Sequence, residues 1–232
     1  MQKLILVYVY FYMFAFLIGT ANGIADLPMP LVTCIPDSGD IVILQLGDDL
    51  LRQCCDEIET EKIKNVHSYP ALLSVRDRLH KALQMHKGIH GYGRACAAPQ
   101  IGEKLMMIAM KLSDREPAVT LYNPHIIEHS EEKMSLWDDC FSIEGKMIRL
   151  ERYKTVTVKF VNDQGDDKIW RCEEALSELL QHEIDHLNGI LAIDRVLPDL
   201  TDCKSIIDRT EWLRDQDFYN KHVTYIPSNE TF

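Results

Sequence analysis

An α+β single domain is the fold class this sequence predicts, and three observations carry the expectation. Short apolar and β-branched runs bounded by turn residues follow one another along the chain. Two longer stretches place apolar residues at spacings of three and four, as an amphipathic helix requires. Strands and helices do not alternate regularly, as a parallel βαβ sheet would demand. The expected architecture is therefore antiparallel strands packed around a central helix, with a further helix near the C-terminus. With 232 residues, 46% of them hydrophobic, the chain can bury one sizeable core.

The elements read in order as follows. Residues 1–25 form a signal- or anchor-like segment, because Met1-Gln2-Lys3 leads into the unbroken apolar run Leu4 to Ile18 and then small residues. A mitochondrial presequence would be amphipathic and Arg-rich, which this segment is not. Residues 26–40, with Pro28, Pro30, Pro36 and Gly39, suit a linker. The domain is expected over 41–215, opening with a strand at Ile41 to Leu46. Leu72, Leu73, Val75, Leu79, Leu83 and Met85 predict a helix from Pro70 to Lys87, and Gly88, Gly91 and Gly93 a loop after it. Leu105 to Met110 and Val119 to Tyr122 read as short buried strands, the second ended by Asn123-Pro124. Ile148 to Leu150 and the alternating Val156, Val158 and Phe160 suggest an antiparallel pair, and Asn162 to Gly165 a reversing turn into Lys168 to Trp170. A second helix is expected from about Glu173 to His186, stopped at Asn188-Gly189. A third covers Lys204 to Arg214, and 216–232 reads as a polar tail.

Composition excludes several roles. A net charge of −11 argues against a surface that tracks nucleic-acid phosphates, so no nucleic-acid partner is expected. The seven cysteines are an odd number, and none forms a C-x-x-C, which fits neither a disulfide scaffold nor a zinc ribbon.

The chemistry concentrates in Gln181-His182-Glu183-Ile184-Asp185-His186, on the helix expected to be central. Two histidines four apart on a helix share one face, so both imidazoles can hold one ion with Glu183 beside it. A catalytic metal needs a third protein ligand, and Cys140 is the candidate. The pairs His86 with His90 and His125 with His129 are also four apart. Gly88 interrupts the first and Asn123-Pro124 precedes the second, so these, with His67 and His80, read as solvated or loosely packed. His222 lies in the polar tail and reads as no ligand.

Three segments together resemble the peptide deformylase family. Its Q-H-E-x-D-H matches residues 181–186, its E-G-C-L-S corresponds to Asp138-Asp139-Cys140-Phe141-Ser142, and its G-x-G-x-A-A-P-Q to Gly93 through Gln100. The order is the family's, and the likeness covers about residues 41–200. The resemblance implies an enzyme that removes the formyl group from the N-terminal methionine of nascent polypeptides. It also implies one divalent ion held by Cys140, His182 and His186, ferrous iron as the native ion and zinc as an alternative occupant. Glu183 would move a proton from the attacking water to the departing amine, while Gln100 and the backbone N–H of Phe141 would meet the charge on the tetrahedral oxygen. Gly93, Ala95 and Asp139 fall where the family binds its peptide as an extended strand.

The departures are Ala95 and Asp139 for glycines, Phe141 for leucine and Asp138 for glutamate. They support a rival expectation, a catalytically weakened binder of metal and peptide N-termini. A metallopeptidase cutting internal bonds has only the shared H-E-x-x-H in its favour. Formylated initiators imply a mitochondrion or plastid, whereas the run from Leu4 to Ile18 points to a secretory route or membrane contact. Oligomeric state is not legible.

Overall fold

The computed structural model describes residues 41–113 and 115–227. The expectations for residues 1–25 and 26–40 lie outside them. Among the described residues eight strands form two antiparallel sheets. The first runs in the order β1 (Ala95–Ala97), β2 (Met107–Met110), β3 (Val119–His129), β6 (Thr155–Val161), β7 (Asp167–Glu173). The second holds β4 (Lys133–Asp138), β5 (Lys146–Tyr153) and β8 (Ile206–Asp208). A short helix α1 (Thr60–Lys64) precedes α2 (Pro70–His90), and α3 (Glu174–Leu187) follows the strands. Two short helices, α4 (Arg209–Arg214) and α5 (Gln216–Asn220), come last.

The alternation of side chains along a strand explains why the run before Met110 is apolar throughout. Met107 and Ala109 join Leu72, Val75, Leu79 and Leu83 of α2 in one core cluster. Ile108 and Met110 turn the other way, into a cluster with Leu179, Leu180, Ile184 and Leu187 of α3. The first sheet is thus covered on both faces, and α3 is buried all round except at its first turn. Proline at the start of α2 and Gly91 in the left-handed region at its end bound that helix where their backbone preferences allow.

Several expectations need correction. Ile41 to Leu46 joins no sheet; Leu44 N–H donates to the Gln100 carbonyl and Leu46 N–H to that of Ser142, so tertiary partners replace a ladder. Gly88 lies within α2, because packing of the helix outweighs one glycine's low propensity. Asn123-Pro124 does not end β3. The strand passes through it with a register shift, and the Asn123 amide bonds both backbone groups of Ile58. The residues of β5 and β6 do not pair with each other: β5 pairs with β4 and β8, and β6 with β3 and β7. β4 was not anticipated. Lys204 to Arg214 is a strand followed by a short helix, and 216–220 is helical rather than tail. The hairpin turn at 162–165 and α3 stand as expected.

β1 and β4 each end a sheet, and the chain leaves them to form Gln100 and Cys140 respectively. Both strand ends meet α3, which places the functional residues in one region.

Candidate metal centre

Cys140 follows β4 in a tight turn in which Ile143 N–H returns to the Cys140 carbonyl at 3.0 Å. His182 and His186 stand one turn apart on α3, their ring centroids separated by 5.0 Å. One ligand atom from each of the three lies within 4.8 Å of the others, and among the described residues no other His, Cys, Asp or Glu group is so arranged. The Cys140 sulfur is 3.2 Å from His186 Nε2. All three residues are buried.

The imidazoles are fixed from behind. His182 Nδ1 meets Asp138 Oδ2 at 2.9 Å, which turns Nε2 toward the thiol. Arg152, itself buried, bonds Asp138 and Asp185, and Arg195 grips Asp185 through two nitrogens. His182 and Arg152 hold Asp138 down at about 2 against the opposing effect of burial. Burial also opposes charge on His182, yet Asp138 and Cys140 lift its pKa well above the ordinary imidazole value. Burial and the neighbouring His182 drive His186 well below it. One thiol and two imidazoles form a sulfur and nitrogen donor set that suits a divalent ion of intermediate softness.

Glu183 is buried, and its Oε2 has no hydrogen-bond partner. Burial pushes its carboxyl up to about 7; His182 opposes the rise, and Asp138 and Glu178 add to it. Gln100 accepts from Ala97 N–H at 2.8 Å through Oε1, which aims Nε2 toward Cys140 Sγ at 3.9 Å and Ser142 Oγ at 3.3 Å. Phe141 is buried, its ring stacked on His86 at 3.5 Å between centroids. A Cβ on Gly93, which sits at φ +117°, would fall 2.4 Å from that ring, so only glycine fits there. His86 is consequently buried rather than solvated.

The residues expected at the peptide strand are divided by the fold. The side chain of Ala95 lies in the core cluster shared with α3, so its methyl does not project into the cleft. Asp139 pairs with Arg209 at 3.3 Å, and Arg209 stacks over Tyr92 at 3.8 Å. His222 bonds the Phe218 carbonyl and Asp202 and is no part of the centre. Sequence reasoning missed Arg152 and the roles of Asp138 and Asp185. The position of Asp185 between two ligand histidines was the one available signal. It also missed the ion pair of Arg94 with Glu178, one turn ahead of His182.

Three protein donors leave one position of a tetrahedral ion for water, and Glu183 follows the first histidine ligand with a carboxylate oxygen unused. The class this defines is a metal-dependent hydrolase. A profile of the polypeptide deformylase family matches residues 41–201. This chain belongs to that family. It is 34% identical over 158 residues to a peptide deformylase of Prochlorococcus marinus (strain MIT 9312), covering 66% of this chain and 72% of that protein. Against the peptide deformylase of Halothermothrix orenii it is 34% identical over 155 residues, 67% of this chain and 92% of the relative. The Met-Ala-Ser-bound crystal structure of a class I type b peptide deformylase from Acinetobacter baumannii superposes with a TM-score of 0.59 at 26% identity, covering 68% and 99% of the two chains. The peptide deformylase of Thermotoga maritima gives 0.57 at 29% identity, covering 67% and 97%.

Proposed function

We propose that this chain hydrolyses the formyl group from the N-terminal formyl-methionine of nascent polypeptides and releases formate. The observation that carries this reading is the clustering of Cys140, His182 and His186 beside Glu183 in a chain of the deformylase family.

Cys140, His182 and His186 would hold one divalent ion, with Asp138 orienting the first imidazole. When bound, the ion supplies a water acidified toward neutrality and a Lewis acid for the formyl oxygen. Glu183 accepts the proton of the attacking water through its unpartnered oxygen and returns it to the amine nitrogen as the C–N bond breaks. A carboxyl lifted toward neutral pH is suited to both transfers. Gln100 Nε2 and the backbone N–H of Phe141 flank Cys140, where they can donate to the oxygen that gains charge. The edge of β1, and that of β4 beyond Ser135, where Thr224 and Tyr225 already bond it, offer main-chain partners to an extended peptide, with Gly93 and Asp139 at their ends. Ferrous iron is the native ion in this reading and zinc an alternative, since a thiolate with two imidazoles accepts either.

The weakened-binder reading rested on the replaced glycines. Ala95 buries its methyl in the core, and Phe141 fills the space that Gly93 leaves, so the replacements fit their surroundings and that reading is not favoured. The protein would act in a mitochondrion or plastid, with residues 4–18 as the targeting or membrane-contacting segment; microscopy of a full-length fluorescent fusion tests this.

Formate released from formyl-Met-Ala-Ser is the direct assay. Release by wild type and none by a metal-depleted His186→Ala protein supports the reading. No release from metal-loaded wild type would overturn it.

A further inference from the structure

The segment that opens the domain joins no sheet, yet its hydrogen bonds converge on the two groups set to meet the charged oxygen. Leu44 N–H donates to the Gln100 carbonyl and Leu46 N–H to the Ser142 carbonyl, each at 2.8 Å. Gln45, between them, is exposed, and its side chain reaches the turn that follows Cys140. Its Nε2 donates to the Phe141 carbonyl at 3.0 Å and to the Ile43 carbonyl at 3.2 Å, while Oε1 accepts from Glu144 N–H at 3.4 Å. One carboxamide thus clips both ends of the stretch 141–144 to the main chain at Ile43.

The turn itself is closed by Ile143 N–H on the Cys140 carbonyl at 3.0 Å. In a trans peptide the carbonyl of one residue and the N–H of the next point in opposite directions within one plane. Fixing the Cys140 carbonyl therefore turns Phe141 N–H out of the turn, and that N–H finds no acceptor among the described residues. Gln45 holds the next peptide plane at the Phe141 carbonyl, and Leu46 holds the one after at the Ser142 carbonyl. Three consecutive planes are thus restrained, and the first carries the donor. The stack on His86 fixes the Phe141 ring, whereas Gln45 fixes its main chain. Gln45 also borders a cavity of about 260 Å³ shared with His86 and Phe141, so shortening its side chain removes nothing from the packed core.

We infer that Gln45 is a positioning residue for the reaction: its carboxamide, with the flanking main-chain bonds of Leu44 and Leu46, holds Phe141 N–H and Gln100 in place for the oxygen that gains charge. The inference rests on the proposed deformylase activity. Gln45 acts through Phe141 and not on the substrate. A donor that matters most when the formyl oxygen is charged contributes to the transition state more than to substrate binding, so its displacement should appear in kcat and not in KM.

Two measurements on the metal-loaded full chain test it. The first is the kinetics of formate release from formyl-Met-Ala-Ser. Outright loss of an oxyanion donor lowers kcat about 10²–10³-fold, and Gln45→Ala displaces one donor without deleting it, so kcat should fall about tenfold. KM, metal content, Tm and the Kd of the product Met-Ala-Ser, which has no formyl oxygen, should track wild type. Gln45→Glu keeps the size of the side chain but sets a carboxylate oxygen against the Phe141 carbonyl, so it should lose at least as much, whereas a packing role would survive in it. An unchanged kcat in Gln45→Ala, a loss confined to KM or shared by Met-Ala-Ser binding, or a Gln45→Glu protein as active as wild type overturns the inference. The second measurement follows amide exchange and needs no turnover. The Ile143 amide should exchange faster in Gln45→Ala while amides of α3 keep their protection, and equal Ile143 rates overturn the clip. Wild type that releases no formate while this difference holds would sink the activity and leave the clip standing.

Discussion

Glu183 combines burial, an oxygen without a partner and a pKa raised to about 7, three properties that an ordinary helical glutamate lacks. Its substitution by glutamine keeps size and removes the proton-accepting oxygen. Formate release by Glu183→Gln should fall about 10²–10⁴-fold with metal content unchanged by elemental analysis. Asp138 acts through His182 instead, so Asp138→Asn should weaken metal retention against a chelator by about 10–100-fold. Ala95 is the opposite case, a position at which family resemblance suggests a role in binding and the fold assigns one in packing. Ala95→Gly opens a small gap between β1 and α3 and loosens the strand, so urea denaturation should show a loss of about 0.5–1 kcal/mol. A rise in kcat/KM instead would return that methyl to the cleft.

At the level of elements, α3 is held by what surrounds it more than by its own propensity. Arg152 lies at the hub: one guanidinium bonds the carboxylate behind His182 and the carboxylate between the two histidines. Removing it leaves Asp138 and Asp185 facing each other's charge in a buried setting. Arg152→Ala should cost about 3–5 kcal/mol in denaturant unfolding, the usual loss when one member of a buried ion pair is deleted. The exit from α3 is equally constrained. Gly189 sits at φ +72°, and a Cβ there would meet the Arg52 carbonyl oxygen at 2.5 Å, so the helix end and the segment before α1 are locked together.

For the whole molecule, a metal bound only by the native state couples occupancy to folding. With ion at a hundredfold its Kd the gain is about 2.7 kcal/mol, so stripping it should lower Tm by about 5–11 °C in a chain of this size. Differential scanning calorimetry with and without chelator, followed by re-addition of Fe2+ or Zn2+, measures this. A Tm indifferent to both would mean that the ligand cluster binds no ion in the folded state. The acidic balance of the chain, with 36 Asp and Glu against 25 Lys and Arg, concerns solubility and partner choice and leaves this coupling intact.

The sequence by itself determined the parts in which chemistry and spacing coincide locally. His182, Glu183 and His186 were legible because one helical turn brings them together whatever surrounds the helix. The start of α2, the extent of α3 and the 162–165 turn followed from periodicity and from glycine placement, whereas α2 runs through Gly88 to His90. Only tertiary structure decided which strands pair, because β5 and β6 carry equally apolar patterns and their allocation to separate sheets depends on partners far along the chain. It also decided the fate of Ala95, the tie from Arg152 to both Asp138 and Asp185, and the return of Tyr225 to the edge of β4. Each of these joins residues separated by fourteen to about ninety positions, and neither propensity nor periodicity carries information over that distance.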